Sequence, residues 1–152
     1  MNMKLLASML LLAVSTIGTA QKTGTQTLPQ LKESPAGSKI LDYISMVNGT
    51  EEVPASWAER IFAPKLLEAM SADKIEGLIA ETREMEGQLH LYDANRTGKL
   101  RYKLLLKGVK SGEWLSMVFS FEDQDPYRIL GLTLDSTDSE AKRSTPMFPE
   151  KK

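Results

Sequence analysis

From Leu89 to Leu132 the apolar residues recur at every second position. They run Leu89, Leu91; Leu100, Tyr102, Leu104, Leu106; Leu115, Met117, Phe119, Phe121; and Leu130, Leu132. Neighbouring side chains of a strand point to opposite faces, so this pattern demands a sheet with one apolar side. It predicts strands over roughly 87–93, 99–107, 113–122 and 127–135. Setting Leu115, Met117, Phe119 and Phe121 opposite Leu106, Leu104, Tyr102 and Leu100 centres the intervening turn on Lys110-Ser111. Pairing Phe119 with Leu130 and Met117 with Leu132 puts the next turn at Gln124-Asp125. Pairing Leu91 with Leu100 and Leu89 with Tyr102 puts the first at Asn95-Arg96. Each turn falls on turn-forming residues, so an antiparallel meander is expected.

Upstream the period is helical. Ser34 suits an N-cap with Pro35 at the first helical position, and Ile40, Leu41, Ile44 and Val47 then share a face that Gly49 ends. "VPASWAERIFAP" presents Trp57, Ile61 and Phe62, and a third helix presents Ile75, Leu78, Ile79, Thr82 and Met85. The expected fold is α+β: three N-terminal helices packed on one face of a four-stranded antiparallel meander sheet, over a single domain at 34–135. Residues 21–33 and 136–152 are polar and aperiodic, and read as a flexible lead and a disordered tail.

The first twenty residues combine Lys4, an apolar run from Leu5 to Val14 and small residues at Gly18 and Ala20. That is the pattern of a secretory signal at 1–20, cleaved before Gln21, and the run is too short to span a membrane. The chain has no cysteine, so neither a disulfide nor a cysteine-linked lipid is available. An exported, periplasmic or secreted protein is expected, with no membrane anchor after cleavage. Nineteen basic and 20 acidic side chains give a net charge of −1, which offers no electrostatic footprint for nucleic acid.

Motifs that could carry chemistry have simpler readings. His90, the one histidine, alternates onto the polar side of the sheet with Gln88, Tyr92, Arg101 and Lys103. Ser71-x-x-Lys74 opens a helix, where Ser71 reads as an N-cap. "DANRTG" at 93–98 starts like a calcium loop, but its twelfth position is Leu104 rather than glutamate, and a hairpin turn explains it better. Glu76, Glu81 and Glu84 read as a solvated helix face. Asn48-Gly-Thr50 and Asn95-Arg-Thr97 fit the glycosylation pattern but also fit a helix end and a turn. Met46, Met70, Met85 and Met117 read as core filler. On the apolar face the polar groups are the Tyr102 hydroxyl and, near a strand end, Arg128; these two would line any pocket. Neither a metal site nor a cofactor is expected.

"SPAGSKILDYISMVNG" followed by "GEWLSMVFSFEDQDPYRILGLTLD" resembles a small extracytoplasmic domain found ahead of beta-lactamase-like serine hydrolases and C-terminal-processing peptidases in bacteria. The matched residues are Pro35, Ala36, Gly37, Asn48, Gly49, Gly112, Glu113, Trp114, Leu130, Gly131 and Leu132. The resemblance implies a nuclear transport factor 2-like (cystatin-like) roll, but the hydrolase that would follow is absent and no matched position is catalytic in that family. The expected role is a non-enzymatic binding, accessory or self-associating module. The alternative is a small-molecule isomerase or cyclase of the same superfamily fold. The partner would be a second copy or an extracytoplasmic hydrolase or peptidase. It would dock on the polar side of the sheet, where Tyr92, Leu105, Trp114, Val118 and Ile129 stand among serines and threonines; the plainer account of Trp114 is a cation–π contact with Lys107, opposite it in the expected pairing.

Overall fold

A computed structural model describes residues 24–137. The leader expected at 1–20 and nearly all of the expected tail lie outside the described residues. The fold is α+β, with helices packed on one side of a five-stranded antiparallel sheet in the order β1-β2-β3-β4-β5. The elements are β1 (Gly24–Thr25), α1 (Leu28–Glu33), α2 (Pro35–Asn48), α3 (Ala55–Ile61), α4 (Pro64–Ala69), α5 (Ala72–Glu86), β2 (Leu89–Gly98), β3 (Arg101–Gly108), β4 (Trp114–Phe121) and β5 (Ile129–Ser136).

The aperiodic stretch ahead of Ser34 is not a flexible lead throughout. Its order comes from caps rather than from a repeating apolar face. Thr27 accepts from the Gln30 N–H while the Gln30 side chain accepts from the Thr27 N–H, a reciprocal box that starts α1. One anchor, Leu31, is fully buried. The Ser34 hydroxyl then accepts from the Gly37 N–H at 2.9 Å, so α2 begins where the sequence places it. Gly37 must be glycine because α1 passes directly over it: a Cβ there would run into the Leu31 carbonyl and the Ser34 hydroxyl.

The end of α2 is fixed from two sides. The Asn48 amide donates to the Leu89 carbonyl at 3.0 Å and accepts from the Leu89 N–H at 2.7 Å, tying the helix to the first residue of β2. Arg83 of α5 donates to the carbonyls of Met46, Val47 and Glu51. These carbonyls lie at or just past the C-terminus of α2, where backbone acceptors lack helical partners and the helix dipole favours a cation.

Between helices and sheet lies the core. Tyr43 meets Phe119 edge-on at 5.6 Å and Phe62 at 6.2 Å, Phe119 stacks on Phe121, and Tyr102 meets Phe121 edge-on. Ile40, Ile44, Val47, Trp57, Ile61, Ile75 and Ile79 close it from the helical side.

The β3–β4 register is the one the pattern predicts, with Leu106 opposite Leu115, Leu104 opposite Met117 and Tyr102 opposite Phe119. The other two differ. Leu91 faces Leu106 rather than Leu100, and Leu89 faces Gly108, so β2 runs on to Gly98 and turns at Lys99-Leu100. "DANRTG" is strand because its polar groups are satisfied within the sheet. Asn95 accepts from the Thr25 hydroxyl of β1 at 3.0 Å and donates to Asp93 of its own strand at 2.8 Å, while the Gln26 N–H donates to the Ala94 carbonyl. Register shifts near Tyr92 and Thr97 bring Ala94 onto the buried side. In β5, Phe119 faces Leu132 and Met117 faces Leu134, two residues beyond the expected pairing. The connection closes late, through the Glu122–Arg128 ion pair at 3.0 Å and the Glu122 N–H to the Arg128 carbonyl.

Phe119→Ala is expected to cost roughly 3–5 kcal/mol in urea unfolding, because it empties the centre of the aromatic cluster. Met85→Ala, at a side chain 59% exposed, is expected to cost less than about 0.5 kcal/mol. Equal losses would contradict the assignment of faces. Arg83→Met keeps the alkyl stem but removes three charged donors, and a loss of roughly 2–3 kcal/mol is expected. A loss near zero would show that water caps α2 equally well.

Candidate functional site

The apolar stripe of α5 runs longer than the surface that covers it. Ile75 and Ile79 are buried, but Leu78 is 46% and Met85 is 59% exposed on a helix edge that packing leaves open. Met85 is therefore not core filler. Across from these residues stand Leu132 and Leu134 of β5 and Leu66 and Met70 at the α4 end. Together they bound an open groove of about 320 Å³, floored by Tyr43 and Phe62. That volume lies at the lower end of the ~300–1,000 Å³ typical of ligand sites.

The groove exists because its two walls stop short. α4 has only six residues, and after it Met70 begins the turn into α5. β5 is an edge strand whose outer side, among the described residues, bonds to the helical layer at its start, where the Ala63 N–H donates to the Ile129 carbonyl at 2.9 Å. Beyond Ile129 no other strand lies against that edge among the described residues.

The polar members of the lining are Tyr43, Glu81, Thr82 and Glu86. The Thr82 hydroxyl is committed to its own helix, donating to the Leu78 carbonyl at 2.8 Å. Glu86 is buried and accepts from the Ser111 hydroxyl, while the Lys110 N–H donates to the Glu86 carbonyl at 2.8 Å. Gly108 makes room for this contact, since a Cβ there would strike the Glu86 carboxylate and the Ser111 hydroxyl. Nothing in the alternating pattern singles out Glu86; its signal is the neighbouring Gly87 and the glycine at 108, which let a helix end approach a hairpin. Burial pushes the Tyr43 hydroxyl up from 10.0 to about 12, so it remains protonated at neutral pH. The site therefore presents an apolar trough, one neutral hydroxyl and two carboxyl groups, which suits recognition of an apolar group.

Two residues expected to line a pocket are elsewhere. Tyr102 is buried in the core against Phe121, with Arg96 over its ring at 5.6 Å. Arg128 is held by Glu122 in the β4–β5 connection. Of the residues expected on the outer side of the sheet, Tyr92, Leu105, Trp114 and Val118 are half-buried, as their alternation requires. Tyr92 and Trp114 meet edge-on at 4.8 Å and Lys107 lies over the indole at 5.0 Å, so much of Trp114 is covered within the chain. Ile129 is not on that side. A register shift between Ser120 and Phe121 skips Leu130, which turns Ile129 into the core and leaves Leu130 exposed. His90 is half-buried and sits opposite Lys107. Ser71 occupies the N-cap position of α5 without a side-chain bond to the helix.

Among the described residues no group of three or more histidines, cysteines, aspartates or glutamates is placed to hold a metal ion, and no helix is long and apolar enough to cross a membrane. Comparison with protein-family models, with curated proteins and with solved structures finds no match.

Because the Tyr43 pKa is raised on folding, its contribution is complete below the unfolded value of 10 and is lost as pH rises towards 12. Wild type is expected to lose about 1.4 kcal/mol more stability than Tyr43→Phe between pH 8 and pH 11, measured by urea unfolding. Equal losses would show that the hydroxyl is well solvated.

Proposed function

We propose that this chain is an exported, non-enzymatic binding module that takes an extended apolar peptide segment in the groove between α5 and β5. The observation that carries this reading is the pair Leu78 and Met85, large apolar side chains left open beside Leu132 and Leu134. Apolar residues scattered singly over a surface are ordinary, but here they line one concave trough. An edge strand beside that trough adds main-chain donors and acceptors, the arrangement by which extended peptides join sheets. Export rests on Lys4, the Leu5–Val14 run and Ala20. The resemblance to domains that precede serine hydrolases and processing peptidases supports an accessory role, with such an enzyme or a second copy as the source of the segment.

The groove is tested with the neutral apolar fluorophore N-phenylnaphthylamine. Leu78→Glu and Leu134→Glu are expected to weaken its binding at least fivefold, while Val118→Glu on the opposite side of the sheet leaves it unchanged. Circular dichroism confirms folding of each variant. Indifference to both groove substitutions would refute the site.

A further inference from the structure

Resting on the groove reading above, we propose that the groove is a self-recognition site, filled in the resting protein by the chain's own segment Thr145–Pro149. Four observations converge on this occupant.

The first is where the described chain leaves the fold. The Thr137 N–H donates to the Trp114 carbonyl at 2.8 Å, at the end of the sheet where Glu86 meets Ser111. Thr137 therefore lies beside the Met85–Glu86 end of the groove. The second is reach. Met147 is ten residues on from Thr137, a span of up to ~33 Å when extended. From Thr137 back to Leu132 is only ~17 Å along the strand, and α5 from Ile75 to Met85 is ~15 Å long. The segment reaches the whole groove with slack.

The third is chemistry. Beyond Thr137 the large apolar side chains are Met147 and Phe148, adjacent in sequence and enclosed by Pro146 and Pro149. Proline biases the residue before it towards extended conformations, so the sequence at Thr145 and Phe148 favours the form a trough accepts. Little ordering entropy then opposes docking. The fourth is charge. The ionisable lining groups other than Tyr43 are the two glutamates, Glu81 and Glu86. The apolar pair is flanked by Lys142 and Arg143 on one side and Lys151 and Lys152 on the other. A segment tethered this closely has an effective concentration of about 1 mM. Weak intrinsic affinity then suffices to fill the groove, and an external ligand must displace the segment.

The test uses the full chain, whose lack of cysteine makes introduced thiols unique. Glu81→Cys is combined with Ser144→Cys or with Glu150→Cys, which leaves Met147 and Phe148 in place. Mild oxidation is expected to give an intramolecular disulfide in at least one pair, found in the monomer band and lost when Met147→Ser and Phe148→Ser are added. In a cysteine-free background those two serine substitutions are expected to raise N-phenylnaphthylamine affinity about tenfold. Disulfide-linked dimers would place a second copy's segment in the groove and overturn the proposal. So would a crosslink indifferent to Met147 and Phe148, or an apolar small molecule found by mass spectrometry to occupy the groove. If the serine variant binds the probe no better while Leu78→Glu still abolishes binding, the segment assignment falls and the groove stands. If Leu78→Glu is indifferent as well, both fall.

Discussion

Arg83 is the residue on which the arrangement of the helices depends. One guanidinium gathers the carbonyls of Met46, Val47 and Glu51, so the end of α2 and the loop after it are held against the last turn of α5. Asn48 completes the joint by pairing both backbone groups of Leu89. The two contacts fix α2 relative to α5 and both relative to β2, before any apolar packing is counted. They also solve a general difficulty: helix C-termini leave acceptors unsatisfied, and this one is closed by side chains from distant parts of the sequence. The Asn48-Gly-Thr50 pattern is therefore a structural corner, its asparagine already occupied in the fold.

With α5 pinned at Arg83, its remaining turns cannot tilt to bury the rest of their apolar stripe. Arg83 faces α2, and the edge carrying Leu78 and Met85 is directed towards β5 and the short α4. The groove is thus a consequence of helix placement rather than a defect in packing. Its floor is well made, since Tyr43 and Phe62 belong to the aromatic cluster that includes Phe119. The site combines a rigid base with an open rim, as recognition of an extended segment requires.

What the sequence discloses and what it conceals follow from the same periodicity. A strand pattern of period two reports which side chains share a face, and a shift of pairing by two residues leaves every face unchanged. That is why Leu132 is on the apolar side of β5 although it pairs with Phe119 rather than Met117. The β3–β4 pairing is correct because a short turn at Lys110-Ser111 leaves little freedom. The β2–β3 pairing is not, because Asp93 and Asn95 look like turn residues until β1 bonds Asn95, which in turn bonds Asp93. β1 and α1 themselves rest on two strand residues, one capping box and Leu31, too little for any periodic signal. Only a bulge moves a residue between faces, and the one at Leu130 moves Ile129.

The groove was half visible for a related reason. The helical pattern identifies Leu78 and Met85 as one face with Ile75 and Ile79, but a pattern cannot say how far a neighbouring element extends over that face. The deciding facts are lengths: six residues in α4, and a β5 that ends the sheet. An edge strand with apolar neighbours invites uncontrolled pairing, and this one is blunted by the Leu130 bulge at one end and Asp135 at the other. Between them Leu132, Thr133 and Leu134 remain regular and accessible. The fold thus restricts access to its edge to a short stretch directly above the groove, where main-chain pairing and apolar contact act on the same bound segment.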